Sequence, residues 1–182
     1  MKNFALKCVS AVCLLLMLLF TGCQCAEKTQ IPDPLEDACR AVQNAVTVVQ
    51  TLTVYTGETV TATETRSYDA AAGEVRIVKR TLNAPGEETP FGETTETRAY
   101  SGEFGALPFT GDAFTCEGTT YSAQFSSAVY KALFPESAVK NETQVKVTLT
   151  VISGRVTEGN VSYTSSGGEF VTISTVYGYG DT

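Results

Sequence analysis

Reactive chemistry in this chain falls to thiols, carboxylates and hydroxyls, because its 182 residues include no histidine. Imidazole is the side chain that titrates near neutrality, and it is the usual general base and metal ligand. Its absence excludes Ser-His and Cys-His catalysis and the common zinc and iron sites. The carboxylate pairs Glu36-Asp37 and Glu87-Glu88 are adjacent in sequence, so a helix or strand does not bring both onto one bond. No alternating Asp/Asn loop with a closing Glu is there to hold calcium. Lys131 falls four residues after Ser127, which is not the Ser-x-x-Lys spacing of penicillin-binding enzymes. We therefore expect a non-enzymatic protein with no metal and no cofactor.

The six cysteines differ by position. Cys8 and Cys13 lie in an apolar N-terminal run, Cys23 follows two small residues at its end, and Cys25, Cys39 and Cys116 come after. No Cys-x-x-Cys pair exists, so a thioredoxin-type redox site is not supported. Cys39 and Cys116 either bridge the first helix to a mid-chain strand or stay as two buried free thiols.

The N-terminal run has its own logic. Lys2 and Lys7 give a basic start, Val9 to Phe20 is apolar, and Thr21-Gly22-Cys23 follows. This is the layout of a secretory signal peptide. Phe20-Thr21-Gly22-Cys23 resembles the lipobox of bacterial lipoproteins, with Phe20 where that motif usually has Leu, Val or Ile. The resemblance implies cleavage after Gly22 and diacylglycerol attachment, with palmitate, at Cys23, the new first residue. The alternative is an ordinary export signal cut at or near the same point. Two or more acyl chains hold a protein stably where one gives only marginal binding. Residues 1–22 are thus expected to be a signal peptide and 23–31 a short lipidated tether. Residues 32–182 are then a single domain on the extracytoplasmic face of the cell membrane. Lys2 and Lys7 leave with the signal, so 11 basic residues face 20 acidic ones, a net charge of −9. With no Lys/Arg block, that balance argues against nucleic acid and against electrostatic docking on anionic lipid.

The domain opens on Asp33-Pro34-Leu35-Glu36, where Asp33 can cap, Pro34 suits the first helical position and Glu36 can close a capping box. Leu35, Ala38, Cys39, Val42, Ala45 and Val46 then fall on a helical stripe, giving a helix from Pro34 to about Asn44. Almost everything after it reads as strand. Val46–Tyr55 places Val46, Val48, Leu52 and Val54 on one face against Thr47, Thr51 and Thr53. Thr59–Tyr68, Glu74–Asn83 and Glu93–Tyr100 follow. Within them Thr63-Glu64-Thr65-Arg66-Ser67-Tyr68 is echoed by Thr95-Glu96-Thr97-Arg98-Ala99-Tyr100. We read the echo as two solvent-facing strands with Glu and Arg paired across the sheet. Gly102–Asp112 carries Phe104, Leu107 and Phe109, and so reads as a flap packed over a core, with a mobile lid at a ligand entrance as the alternative. One or two short strands broken at Gly118 precede a short helix from Ser126-Ser127 through Phe134. Gln144–Ile152 alternates Val145, Val147, Leu149 and Val151 against polar residues. A tight turn at Ser153-Gly154 leads into Arg155–Ser165, with a bulge expected at Gly159-Asn160, and Glu169–Tyr177 is the last strand. Tyr163, Tyr177 and Tyr179 read as edge-strand aromatics.

The order of elements makes an α+β chain: one curved antiparallel sheet of about seven to nine strands, packed on the N-terminal amphipathic helix and a short second helix. It resembles the lipoprotein-carrier (LolA/LolB-like) half-barrel, an unclosed sheet with helices as a lid. The resemblance implies an apolar or lipid ligand in the concave face, with Val46, Val48, Leu52, Val54, Val145, Val147, Leu149 and Val151 as candidate lining residues. The alternative is a cell-surface interaction or structural lipoprotein with a solid core and no cavity, whose protein partner the sequence does not identify.

Overall fold

The computed structural model describes residues 33–82 and 90–180, without the side chains of Pro90 and Phe91. The expectations for the signal peptide, Gly22, Cys23, Cys25 and the tether lie outside the described residues. Asp33–Thr182 forms one compact unit.

Helix α1 spans Pro34–Ala41 and runs on as a 3-10 turn, Val42–Asn44. Asp33 caps it, accepting from the backbone N–H of Leu35 at 3.0 Å and of Glu36 at 3.3 Å. The second carboxylate oxygen of Asp33 accepts from Gly111 N–H, so one side chain ties the start of α1 to a loop 78 residues away. These backbone donors, Gly111 first, favour the charged form and hold the Asp33 carboxyl below its usual range against the opposing effect of burial.

Among the described residues nine strands follow in a single open antiparallel sheet, so the domain is mostly β. They are β1 (Thr47–Thr56), β2 (Thr59–Asp69), β3 (Glu74–Leu82), β4 (Pro90–Ala99), β5 (Thr115–Glu117), β6 (Thr120–Ser126), β7 (Gln144–Ile152), β8 (Arg155–Thr164) and β9 (Phe170–Gly178). Helix α2, Ser127–Leu133, interrupts the series and is capped by Ser126, whose hydroxyl accepts from Val129 N–H at 3.4 Å. The strand order is β4-β3-β2-β1-β9-β8-β7-β6-β5. Two meanders thus join where the first strand pairs with the last, from Thr47↔Gly178 to Tyr55↔Phe170.

That junction changes the reading of the C-terminal strands. β8 and β9 lie in the middle of the sheet, and Tyr163 and Tyr177 are buried rather than at an edge. The Ser153-Gly154 turn forms, with positive φ at both residues (51° and 72°), as the twist of a two-residue hairpin requires. The bulge in β8 falls earlier than expected. Thr150 pairs with Glu158 and Val151 with Val156, leaving Thr157 as the extra residue, while Gly159 sits in regular register opposite Leu149. Nor is β2 solvent-facing: it is partly covered from Thr59 through Tyr68.

Because residues of one strand alternate between faces, pairing defines rows across the sheet. Leu35, Ala38, Cys39 and Val42 of α1 and its 3-10 turn share one hydrophobic core with Val48, Val75, Val145, Val147 and Val156. All nine are at most 1% exposed.

Candidate functional site

A cavity of about 550 Å³ opens against the middle of the sheet. Its floor is two adjacent rows. One runs Arg66–Gln50–Thr175–Gly159–Leu149 and the other Glu64–Leu52–Ile173–Val161, across β2, β1, β9, β8 and, for the first, β7. The cover comes from Phe104, Leu107 and Phe109 of the Gly102–Asp112 loop and from Tyr130 and Phe134 at α2.

The cover is held by specific contacts. Leu107 N–H donates to the Cys39 carbonyl at 3.1 Å, pinning the loop to α1. Phe109 stacks on Phe125 at 5.7 Å and meets Phe134 at 5.6 Å between ring centroids. At the other end Phe104 N–H donates to the Tyr100 hydroxyl at 3.2 Å, and the Tyr68 and Tyr100 rings lie 4.2 Å apart. The two tyrosines of the echoed hexapeptide therefore pack on each other beside the flap.

One end of the cavity is polar. Glu64 accepts from Arg66 Nε at 2.6 Å and from Lys79 Nζ at 3.2 Å. Burial works against its charge, but these two cations outweigh it and lower the Glu64 carboxyl. Glu103, at the base of the flap, is ion-paired with Arg98 of β4. It also accepts from Ser101 N–H at 3.0 Å and from the Ser101 hydroxyl at 3.1 Å. Desolvation again opposes the charge, yet hydrogen bonds from its own N–H, from Ser101 and from Arg98 bring Glu103 down to about 2. A carboxyl depressed in the folded state stabilises above its unfolded value, near 4.5, and that contribution disappears as pH falls toward 2. Glu103→Gln is therefore expected to cost about 1 kcal/mol at pH 7. The difference from wild type should shrink between pH 4.5 and pH 2, as denaturant titration at several pH values would show.

The expected lining residues divide. Leu52 and Leu149 line the cavity. Val48, Val145 and Val147 share their face but are closed in the core at 0% exposure. Val54 and Val151 pack partly buried against that core without reaching the cavity. Val46 precedes β1 and is 40% exposed, its N–H taken by the Gly178 carbonyl. Alternation selects a face, whereas the covering elements select which rows of it stay open. The space beneath α1 is filled, and the opening lies under the flap and α2 instead.

Cys39 and Cys116 are not bridged: Cys39 is buried and Cys116 exposed. Burial, then the nearby Asp33 carboxylate, push the Cys39 thiol up to about 12, so it carries almost no thiolate at neutral pH. In the native domain Cys116 should react with iodoacetamide at pH 8 while Cys39 reacts only after unfolding, as peptide mapping would show.

Sequence reasoning missed the polar end and Gly159. Glu64 and Arg66 carried a signal in the echoed hexapeptide, since Glu and Arg at alternate positions share a face, but nothing local said which face was covered. Among the described residues no cluster of His, Cys, Asp and Glu could hold a metal, and no helix is long and apolar enough to cross a membrane.

No family model and no curated protein matches the chain. Among solved structures, a redesigned beta barrel is 15% identical, over 76% of this chain and 95% of that one, with a TM-score of 0.23.

Proposed function

We propose that the chain is a lipid-anchored bacterial envelope protein, non-enzymatic, whose half-barrel-like sheet holds an amphipathic ligand beside the membrane. The observation that carries the reading is the cavity, about 550 Å³, with an apolar cover and a floor that is apolar toward Leu149, Val161 and Ile173 and polar toward Gln50, Glu64 and Arg66. Its volume falls within the roughly 300–1,000 Å³ of small-molecule sites, and its mixture of many apolar walls with a few polar groups is what such sites use. Leu52, Ile173, Val161 and Leu149 would take the ligand's apolar part, and Gln50, Thr175 and the Glu64–Arg66 pair its polar end. The basic-apolar start and Phe20-Thr21-Gly22-Cys23 support the anchor. A short tether keeps such a cavity close to the bilayer that would supply its ligand.

Asp33–Thr182 is a compact unit with its own core and its strands paired along the sheet, so a soluble chain beginning at Ala26 retains the whole site. Titrating that chain with the neutral apolar fluorophore N-phenylnaphthylamine should give a saturable fluorescence rise at one equivalent. A linear, non-saturating response would refute ligand binding.

A further inference from the structure

We propose that the cavity selects a neutral amphiphile, one whose head carries hydroxyl or ester oxygens, over an anionic one of the same chain length. The inference rests on the cavity reading above and adds the ligand's class.

Two observations carry it. The first is the charge on the walls. Arg66 is the only cation among the described lining residues, and its Nε is already committed to Glu64. Glu64, Glu103 and Glu136 also line the cavity, and the cations beside the first two are taken: Lys79 pairs with Glu64 and Arg98 with Glu103. A fatty-acid carboxylate or a phosphate would therefore meet no free cation there, and taking an unpaired charge out of water is costly where a neutral head is not.

The second observation is a pair of hydroxyl-bearing side chains in the lining. Tyr130 and Tyr163 line the same cavity at 5% and 7% exposure. Burial pushes the Tyr130 hydroxyl up to about 12 with a further contribution from its neighbour Tyr163, and burial raises Tyr163 as well. Both stay protonated at any physiological pH. Two neutral groups that both donate and accept suit hydroxyl and ester oxygens, and neither supplies positive charge.

The test compares two ligands with one acyl chain. Monooleoylglycerol and oleate displace N-phenylnaphthylamine from the chain beginning at Ala26 at pH 7.5, each below its aggregation threshold. Monooleoylglycerol is expected to bind at least about tenfold more tightly. Tyr163→Phe and Tyr130→Phe, which keep shape and fold, should each weaken monooleoylglycerol about threefold to tenfold and leave oleate within about twofold. Oleate binding as tightly as monooleoylglycerol, or more so, would overturn the inference while leaving the cavity reading intact. The fluorophore binding while neither lipid displaces it would overturn the inference too. No uptake of fluorophore or lipid would overturn the cavity reading and the inference with it.

Discussion

Replacing Cys23 with serine is expected to move the protein from the membrane fraction to the soluble extracytoplasmic fraction and to abolish its labelling by palmitate. The effect should be close to all-or-none, because the sulfur is the atom that would carry the diacylglycerol and a serine hydroxyl does not replace a thiol there. No described helix can substitute as an anchor, since none is long and apolar enough to cross a membrane. The chain from Cys23 on is acidic, so it would have little electrostatic attraction to an anionic surface without acyl chains. Fractionation of cells expressing wild type and variant, with radiolabelled palmitate, measures both outcomes. A Cys23→Ser protein that still takes up label and still sediments with membranes would refute the anchor. The folded domain is a separate matter, and the variant should retain the ligand site.

The second large effect is expected at Gly159, in the middle of the cavity floor. A Cβ built there lies 3.3 Å from Leu149 Cδ2 and 3.9 Å from Tyr177 Cε2, so the position faces the cavity with close neighbours on the floor. Its backbone is ordinary extended strand, and an L-residue fits it without conformational strain. In Gly159→Trp the indole would occupy the space a ligand needs. N-phenylnaphthylamine affinity should fall at least about tenfold while the far-UV circular dichroism of the sheet is retained. Overpacking costs of about 1–3 kcal/mol are expected alongside, and Gly159→Ala, which asks only a small shift of Leu149, separates them from occlusion. Gly159→Trp binding the fluorophore as well as wild type would mean the ligand sits elsewhere.

Much of the framework was legible in the sequence for local reasons. Asp33-Pro34-Leu35-Glu36 specifies a helix start through side chain and backbone chemistry within four residues, and the helix begins at Pro34. Gln144–Ile152 has the period of a strand, and β7 spans those residues. Ser153-Gly154 supplies the positive φ its turn requires. What escaped depends on contacts far apart in the chain. Nothing within Glu169–Tyr177 announces that β1, some 120 residues earlier, is its second partner, and that pairing is what puts β9, with the buried Tyr177, inside the sheet and not at its edge.

The site was harder still. The alternation of Val145, Val147 and Leu149 is uniform, yet only Leu149 reaches the cavity, because the loop and α2 cover the same face unevenly. Glu64 and Arg66 looked like surface residues since charged side chains usually are. They tolerate partial burial here because Lys79 on the next strand completes their ion pairing. The flap was recognisable from three apolar residues in a Gly- and Pro-containing stretch, and two of them, Phe104 and Phe109, are buried. That it roofs a cavity as well as the core follows from the packing of Phe109 against α2 and β6, which its own sequence does not encode.

Native mass spectrometry of the chain from Ala26, exported to a bacterial envelope and purified without detergent, tests the central claim most directly. The account predicts a population carrying one small molecule per chain, extractable as a neutral lipid and lost in Gly159→Trp. Wild-type protein that flies only at its bare mass, and stays there after incubation with monooleoylglycerol, would contradict it.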